Sequence, residues 1–234
     1  MCGRFGATFQ YRDLKRAWNL QGDFSFYPRY NIAPSQEVPV IVRQGSVNQL
    51  KPMRWGLIPE WSDDKTIAQR MINARAETLL DKPSFKNLVA EKRCLIPADG
   101  FYEWRRDGNA RVPMWICLKN REPFTFPALW DCWIDRDTGK ALYTFTIITT
   151  QPNDLMRPIH NRMPVIYDPA MGQQWLERSF AHSPLRLKSA LQPLRSSQMQ
   201  AYEVSSLVNS PENDSSECIR PISQSEKKEQ LRLL

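Results

Sequence analysis

Cysteine at position 2, in Met1-Cys2-Gly3-Arg4-Phe5, carries the most distinctive chemistry available to this chain. Removal of Met1 leaves Cys2 as a 1,2-aminothiol. An α-amine titrates near ~7.7 to 8.0 against ~10.4 for lysine, so at neutral pH its neutral, nucleophilic form is roughly a few hundred-fold more abundant. Such an amine attacks an aldehyde to give a Schiff base. The thiol, one carbon away, can then trap the iminium as a five-membered thiazolidine, a reaction closed to any internal cysteine. The alternative is a cysteine that merely follows the start codon and packs as a small hydrophobe.

Four further segments are polar where a core pattern calls for apolar residues: Ile72-Asn73-Ala74-Arg75-Ala76-Glu77, Ala98-Asp99-Gly100-Phe101-Tyr102-Glu103-Trp104, Thr149-Thr150, and Ile159-His160-Asn161-Arg162-Met163-Pro164. Glu103 lies between two aromatics in an apparent strand, so the two-residue period turns it away from Tyr102 and Trp104, onto the face of Phe101. A carboxylate beside aromatic surface is partly desolvated, which favours its protonated form and suits general acid/base work. The alternative is a glutamate facing solvent. His160 sits between Pro158 and Pro164 in a loop or strand entry. Imidazole is the side chain best matched to proton transfer at neutral pH, although a lone histidine also serves as a surface or capping residue. Of the two histidines, His182 reads as a neighbour of a helix cap, which leaves His160 as the candidate.

The chain has eight tryptophans. Trp18, Trp115, Trp130, Trp133 and Trp175 fit the apolar faces of expected helices or strands and are assigned to the core. Trp61 falls in the polar loop Pro59-Glu60-Trp61-Ser62-Asp63-Asp64, and Trp104 adjoins Arg105 and Arg106. Aromatics beside arginines form a stacking platform for single-stranded bases, with partial burial as a loop anchor the alternative for Trp61.

These residues need a scaffold, and the pattern supplies mostly strands. β-branched and aromatic runs predict strands over residues 38–42, 93–96, 101–105, 112–118, 127–134, 142–149, 163–167 and 199–204. Helical periodicity marks 12–18, 84–91, 169–178 and 184–191, the last two bracketed by proline as helix starts are. The expected fold is α+β: one domain over residues 1–222, with a strand-rich barrel-like or two-sheet core and peripheral helices. Residues 223–234 read as a frayed or disordered tail.

The 234 residues are 41% hydrophobic and 24% charged, the make-up of an ordinary globular protein. The net charge of +7 is concentrated early: residues 1–117 hold 18 basic and 12 acidic side chains, so +6 resides in that half. Such a bias suits a polyanion such as nucleic acid, or alternatively a generally basic surface. No apolar run is long enough to span a bilayer, and residues 1–10 lack a signal-peptide pattern, so a cytoplasmic location is expected. Five widely spaced cysteines without a Cys-x-x-Cys pair, and only two histidines, predict neither a disulfide framework nor a metal site.

Taken in order, Met1-Cys2-Gly3-Arg4-Phe5, Tyr30-Asn31-Ile32-Ala33-Pro34, Arg54-Trp55-Gly56-Leu57-Ile58-Pro59, Ile72-Asn73-Ala74-Arg75-Ala76-Glu77-Thr78, the run from Arg93 to Trp104, His160-Asn161-Arg162-Met163-Pro164 and Val208-Asn209-Ser210-Pro211 resemble the SRAP family, named for SOS-response-associated peptidase. The resemblance covers nearly the whole chain. It implies a protein of the DNA damage response that shields abasic sites in single-stranded DNA through a covalent thiazolidine bond, by lyase-type Schiff-base chemistry and without a cofactor. By the same resemblance Cys2 is the crosslinking nucleophile, Asn73 positions the opened sugar and the cysteine amine, Glu103 shuttles protons, and His160 assists ring opening. Arg4, Arg75 and Arg162 resemble the family's phosphate-binding arginines, and Pro34, Trp61, Trp104 and Thr149 its strand-contacting surface. Where some members carry two adjacent tryptophans, this chain has Trp61-Ser62, which puts the second stacking contact in doubt. Two other readings stay open: a cysteine peptidase limited to self-processing, and a non-catalytic single-strand-binding module. The expected partner is single-stranded DNA containing abasic sites, with no membrane and no metal, bound by a monomer that is nucleoid-associated when on DNA.

Overall fold

In the computed structural model, residues 2–25, 27–223 and 225–226 are described. They form twelve strands: β1 (Phe5–Ala7), β2 (Arg29–Ile32), β3 (Glu37–Gln44), β4 (Val47–Trp55), β5 (Asn73–Arg75), β6 (Arg93–Ala98), β7 (Gly100–Asp107), β8 (Ala110–Leu118), β9 (Phe124–Ile134), β10 (Ala141–Thr150), β11 (Met163–Pro164) and β12 (Met199–Glu203). Four α-helices accompany them: α1 (Tyr11–Trp18), α2 (Pro83–Glu91), α3 (Pro169–Leu176) and α4 (Pro184–Ala190).

Five strands close on themselves. β10 pairs parallel with β4, β4 antiparallel with β3, β3 with β6, β6 with β9, and β9 returns to β10 over a register running from Ala141↔Ile134 to Ile147↔Ala128. Closure leaves this ring without an open edge, which removes the hazard of unpaired strand edges. A second, open sheet runs β12-β8-β7-β1-β2. The two share one core, because Phe5 of β1 packs on Trp55 and Phe126 at centroid distances of 5.2 and 5.8 Å, and Phe101 of β7 meets Phe126 at 6.2 Å. The mixed α+β architecture expected from the pattern is the one observed.

The helices lie outside these sheets, and three of them start on a proline whose missing N–H costs nothing at that position. Asp168 and Ser183 cap α3 and α4 by accepting from the backbone N–H of Met171 and Arg186. Helix α3 stops at Leu176, short of the expected 178, because Glu177 turns extended before a 3₁₀ segment at Arg178–His182. The strand expected over 163–167 shrinks to Met163–Pro164, with Tyr167 adding one isolated bridge to Thr125. Strand β4 was not expected: Gln49, Lys51 and Arg54 put polar residues on both of its faces and break the apolar alternation. The expected tail at 223–234 falls, apart from residues 223, 225 and 226, outside the described residues.

Among the described residues no helix is long and apolar enough to cross a membrane, and no group of three or more His, Cys, Asp and Glu is disposed to hold a metal ion. The cysteines are free thiols.

Candidate active site

Two backbone ladders decide which side chains meet. β1 pairs with β7 through Phe5↔Phe101 and Gly6↔Gly100, and the Tyr102 N–H donates to the Arg4 carbonyl at 2.9 Å. Followed toward the chain start, that register brings Cys2 and Gly3 alongside Glu103. Gly100 is required here because the Trp115 indole lies against the strand: a Cβ would come within 2.1 Å of its ring.

β10 organises the other half. Beyond the stretch paired with β4, it takes up β5 in parallel, with Ile147↔Asn73 and Thr149↔Arg75, while β11 pairs antiparallel at Thr149↔Pro164 and Thr150↔Met163. One strand end thereby gathers Asn73, Thr149 and the loop carrying His160 and Arg162. The Asn73 side-chain amide donates to the Cys2 carbonyl at 2.8 Å, which joins the two halves. His160 Nε2 lies 4.0 Å from Glu103 Oε2. The Arg162 backbone N–H lies 3.0 Å from His160 Nδ1 and its carbonyl 3.3 Å from the same nitrogen; the shorter N–H contact favours the tautomer with its proton on Nε2, the nitrogen facing Glu103.

Burial sets the electrostatics. Glu103 is only 4% exposed, and desolvation raises its carboxyl above the usual carboxylate range. It shares a face with Phe101, while Tyr102 and Trp104 pack together on the opposite one at 6.5 Å, as the strand period predicts. A solvent-facing glutamate is excluded. His160 is lowered, chiefly by burial, so its neutral form is favoured. The buried Cys2 thiol is pushed far up, first by desolvation and then by the Glu103 carboxylate. The arrangement therefore offers a protonated thiol, a carboxyl and imidazole shifted toward one another in affinity for a proton, and an amide that anchors the main chain of Cys2.

The residues expected to touch a nucleic-acid strand divide into two kinds. The Arg75 side chain is exposed and forms no hydrogen bond or ion pair with a described residue; Trp61 is 62% exposed; Pro34 is half-buried at a turn in which Ser35 adopts a positive φ of 74°. Arg4 is instead committed to the protein, donating to Asn31 Oδ1 at 2.7 Å, the Val208 carbonyl at 2.8 Å and the Asn209 carbonyl at 3.3 Å. Its guanidinium also sits 5.8 Å from the Trp104 ring, whose Nε1 donates to Asn209 Oδ1 at 2.8 Å. Arg162 is held in both forks by Glu77, at 2.6 and 3.0 Å, and donates to the Thr149 carbonyl at 2.6 Å. Thr149 is fully buried, its hydroxyl donating to the Ala74 carbonyl at 3.4 Å and accepting from Arg162 at 3.3 Å, so it does not reach the surface. Ser62 points inward as well, its carbonyl accepting from Trp133 Nε1 at 2.7 Å, and offers no second stacking face beside Trp61.

Among the tryptophans assigned to the core, Trp18, Trp115, Trp133 and Trp175 are buried, whereas Trp130 is only partly so. Three residues that shape the site were not singled out from sequence: Glu77, Asn31 and Asn209. Each lies inside a motif already noted, and that membership was the only signal.

Comparison with known proteins is consistent along the chain. A family model described as SOS response associated peptidase (SRAP) matches residues 1–211. The abasic site processing protein YoqW of Bacillus subtilis (strain 168) is 48% identical over 223 residues, covering 94% of this chain and 99% of that protein. The abasic site processing protein HMCES of Gallus gallus is 33% identical over 268 residues, 95% of this chain and 78% of its own. A crystal structure of a protein from Bacteroides thetaiotaomicron superposes with a TM-score of 0.82 at 29% identity, over 94% of this chain and 100% of that one.

Proposed function

The chain belongs to the SOS response associated peptidase (SRAP) family, and we propose that it recognises abasic sites in single-stranded DNA and links to them covalently through Cys2. The observation that carries this reading is the convergence on Cys2 of Asn73, Glu103 and, across 4.0 Å from Glu103, His160. Relatives named for abasic site processing, at 48% and 33% identity, support the substrate class.

The chemistry balances without a cofactor. An abasic deoxyribose exposes its C1′ aldehyde only when the ring opens, which takes a proton from the C1′ hydroxyl and gives one to the ring oxygen. Glu103 and His160 are the pair for that exchange. With Met1 removed, the Cys2 amine adds to the aldehyde carbon and water leaves, giving an iminium. The Cys2 sulfur then bonds to that carbon, its proton departs, and nitrogen recovers the electron pair of the C=N bond. The net products are a thiazolidine and one water. Because burial keeps the thiol protonated, the amine is the first nucleophile and sulfur the trap. Asn73 holds the Cys2 carbonyl so that amine and thiol face one way.

Arg75 is the phosphate contact whose guanidinium has no acceptor among the described residues to compete with; Arg4 and Arg162 already spend several of their donors on the protein. Trp61, Trp104 and Pro34 present the surface for bases. The self-processing peptidase reading fares worse, since a cysteine peptidase activates its thiol by lowering its pKa beside an imidazole, and Cys2 is shifted the opposite way.

Intact mass after incubation with a single-stranded oligonucleotide bearing one abasic site tests the proposal. The expected product has the mass of the Met1-free protein plus the oligonucleotide less one water. Peptide fragments, or binding with no mass change, would replace it by the peptidase or the binding-module reading.

A further inference from the structure

Glu77 sits four residues after Asn73, on the turn that follows β5, and lies behind the site. Both of its carboxylate oxygens engage Arg162, whose side chain is only 11% exposed. Arg162 spends a further donor on the carbonyl of Thr149, at the end of β10. Its backbone N–H is the one that faces His160 Nδ1, and the His160 backbone N–H is itself tied to the Met156 carbonyl at 2.8 Å. The His160 backbone is therefore held by its own loop, and its ring by a residue clamped to Glu77. We propose that Glu77 is a positioning residue: by gripping Arg162 in a two-pronged pair it fixes the ring orientation and the Nε2–H tautomer of His160 toward Glu103.

A bidentate guanidinium–carboxylate pair sets a plane as well as a distance, which a lysine or an amide cannot reproduce. The Glu77 carboxyl is held below its usual range by the hydrogen bonds from Arg162, in keeping with a permanently ionised clamp. The charged groups around the imidazole are the α-amine of the chain, which lowers the ring's proton affinity, Glu103 on β7, Arg162 on its own loop and Glu77 beyond Arg162; the protonated Cys2 thiol adds no charge. Segment 73–77 would then align both partners of the reaction, the nucleophile through Asn73 and the proton carrier through Glu77.

This inference rests on the proposed crosslinking only for its catalytic consequence, so its test has one arm without DNA. With just two histidines, long-range ¹H–¹⁵N spectra of the whole protein resolve His160, identified by its loss in His160→Gln, with His182 as internal control. The wild type should show a single Nε2–H tautomer titrating below the ordinary histidine range. In Glu77→Gln both tautomers should appear, with Glu77→Asp between the two. An unchanged His160 spectrum in a folded Glu77→Gln protein would overturn the assignment. Should Glu77→Gln not fold, Arg162→Lys, which keeps the backbone N–H and the charge but loses the fork, reads the same change.

In the second arm, single-turnover crosslinking by Glu77→Gln should be about tenfold slower at saturation, part of the ~10² to 10⁴ an acid/base group contributes. The half-saturating DNA concentration should stay within about twofold. Tighter half-saturation with an unaltered maximal rate would make Glu77 a mere competitor of phosphate for Arg162 and overturn the inference. If the wild type formed no adduct at all, the crosslinking reading would fall while the spectra still decided the role of Glu77.

Discussion

His160 Nε2 stands 4.0 Å from Glu103 Oε2, across the junction between the closed barrel and the open sheet. That separation is longer than a direct hydrogen bond and leaves both groups able to turn to a third, a substrate hydroxyl or a water. Glu103→Gln keeps the shape and removes the proton. Crosslinking should slow by ~10² to 10⁴ with single-strand affinity nearly unchanged. A parallel fall in affinity, measured in a Cys2→Ala background, would make Glu103 a structural residue instead.

The same burial predicts a pH signature in stability. A carboxyl whose folded pKa is raised binds its proton better in the folded than in the unfolded chain. Stability from this group is therefore lost as pH rises from the ordinary glutamate value through the raised one. His160, lowered by burial, acts at the other end: stability is lost as pH falls below the ordinary histidine value toward its lowered one. Urea midpoints of wild type and Glu103→Gln should nearly coincide near pH ~4 and separate in favour of Gln by pH ~8. A Gln variant that is less stable at the higher pH contradicts desolvation as the dominant cause.

Asn73→Ala removes the donor to the Cys2 carbonyl. The expected cost is ~1 kcal/mol of stability. Crosslinking should fall by more than that loss of folded protein explains, since the start of the chain is no longer oriented. Rates normalised to folded protein, equal to wild type, would deny Asn73 that role.

Arg75 and Arg4 should behave differently despite their equal charge. Arg75→Gln should leave the melting temperature alone and reduce the salt slope of single-strand binding by about 0.7 if it neutralises one phosphate. Arg4→Gln strips partners from Asn31 and from the carbonyls of Val208 and Asn209, so it should cost ~1.5 to 3 kcal/mol in urea unfolding. A stable Arg4 variant with a lowered salt slope would return it to the phosphate contacts.

Trp61, 62% exposed, contributes little to the core. Trp61→Ala should therefore keep the urea midpoint while losing ~1 to 3 kcal/mol of single-strand affinity, the value of one stacked base. Unchanged affinity in a fluorescence titration would remove Trp61 from the binding surface.

Cys2→Ala retains the α-amine and lacks the trap. It should yield a Schiff base captured by borohydride and no stable adduct, whereas a tag left ahead of Cys2 should block both. A stable adduct from tagged protein would defeat the aminothiol mechanism.

Local chemistry and local periodicity were legible in the chain itself. The two-residue period turned Glu103 away from Tyr102 and Trp104, prolines at 83, 169 and 184 marked three helix starts, and the motifs contained each side chain that surrounds Cys2. These depend on neighbours within a few residues, where steric preference and hydrophobic alternation act directly. Tertiary structure decided which motifs touch: the β1–β7 register sets Cys2 beside Glu103, and β5 on β10 carries Asn73 to the Cys2 carbonyl across 71 residues of chain. It also decided which arginines are already spoken for, binding Arg4 to Asn31 and Arg162 to Glu77 while leaving Arg75 in solvent. Strand β4 escaped notice for a related reason, since a run in which Gln49, Lys51 and Arg54 put polar residues on both faces gains its strand identity only from Val40, Ile41 and Val42 across the ladder. A guanidinium has the same composition whether it faces phosphate or a carboxylate. Only the register of distant strands, set by burying Phe5 and Phe101 against Trp55 and Phe126, determines which of the two it meets.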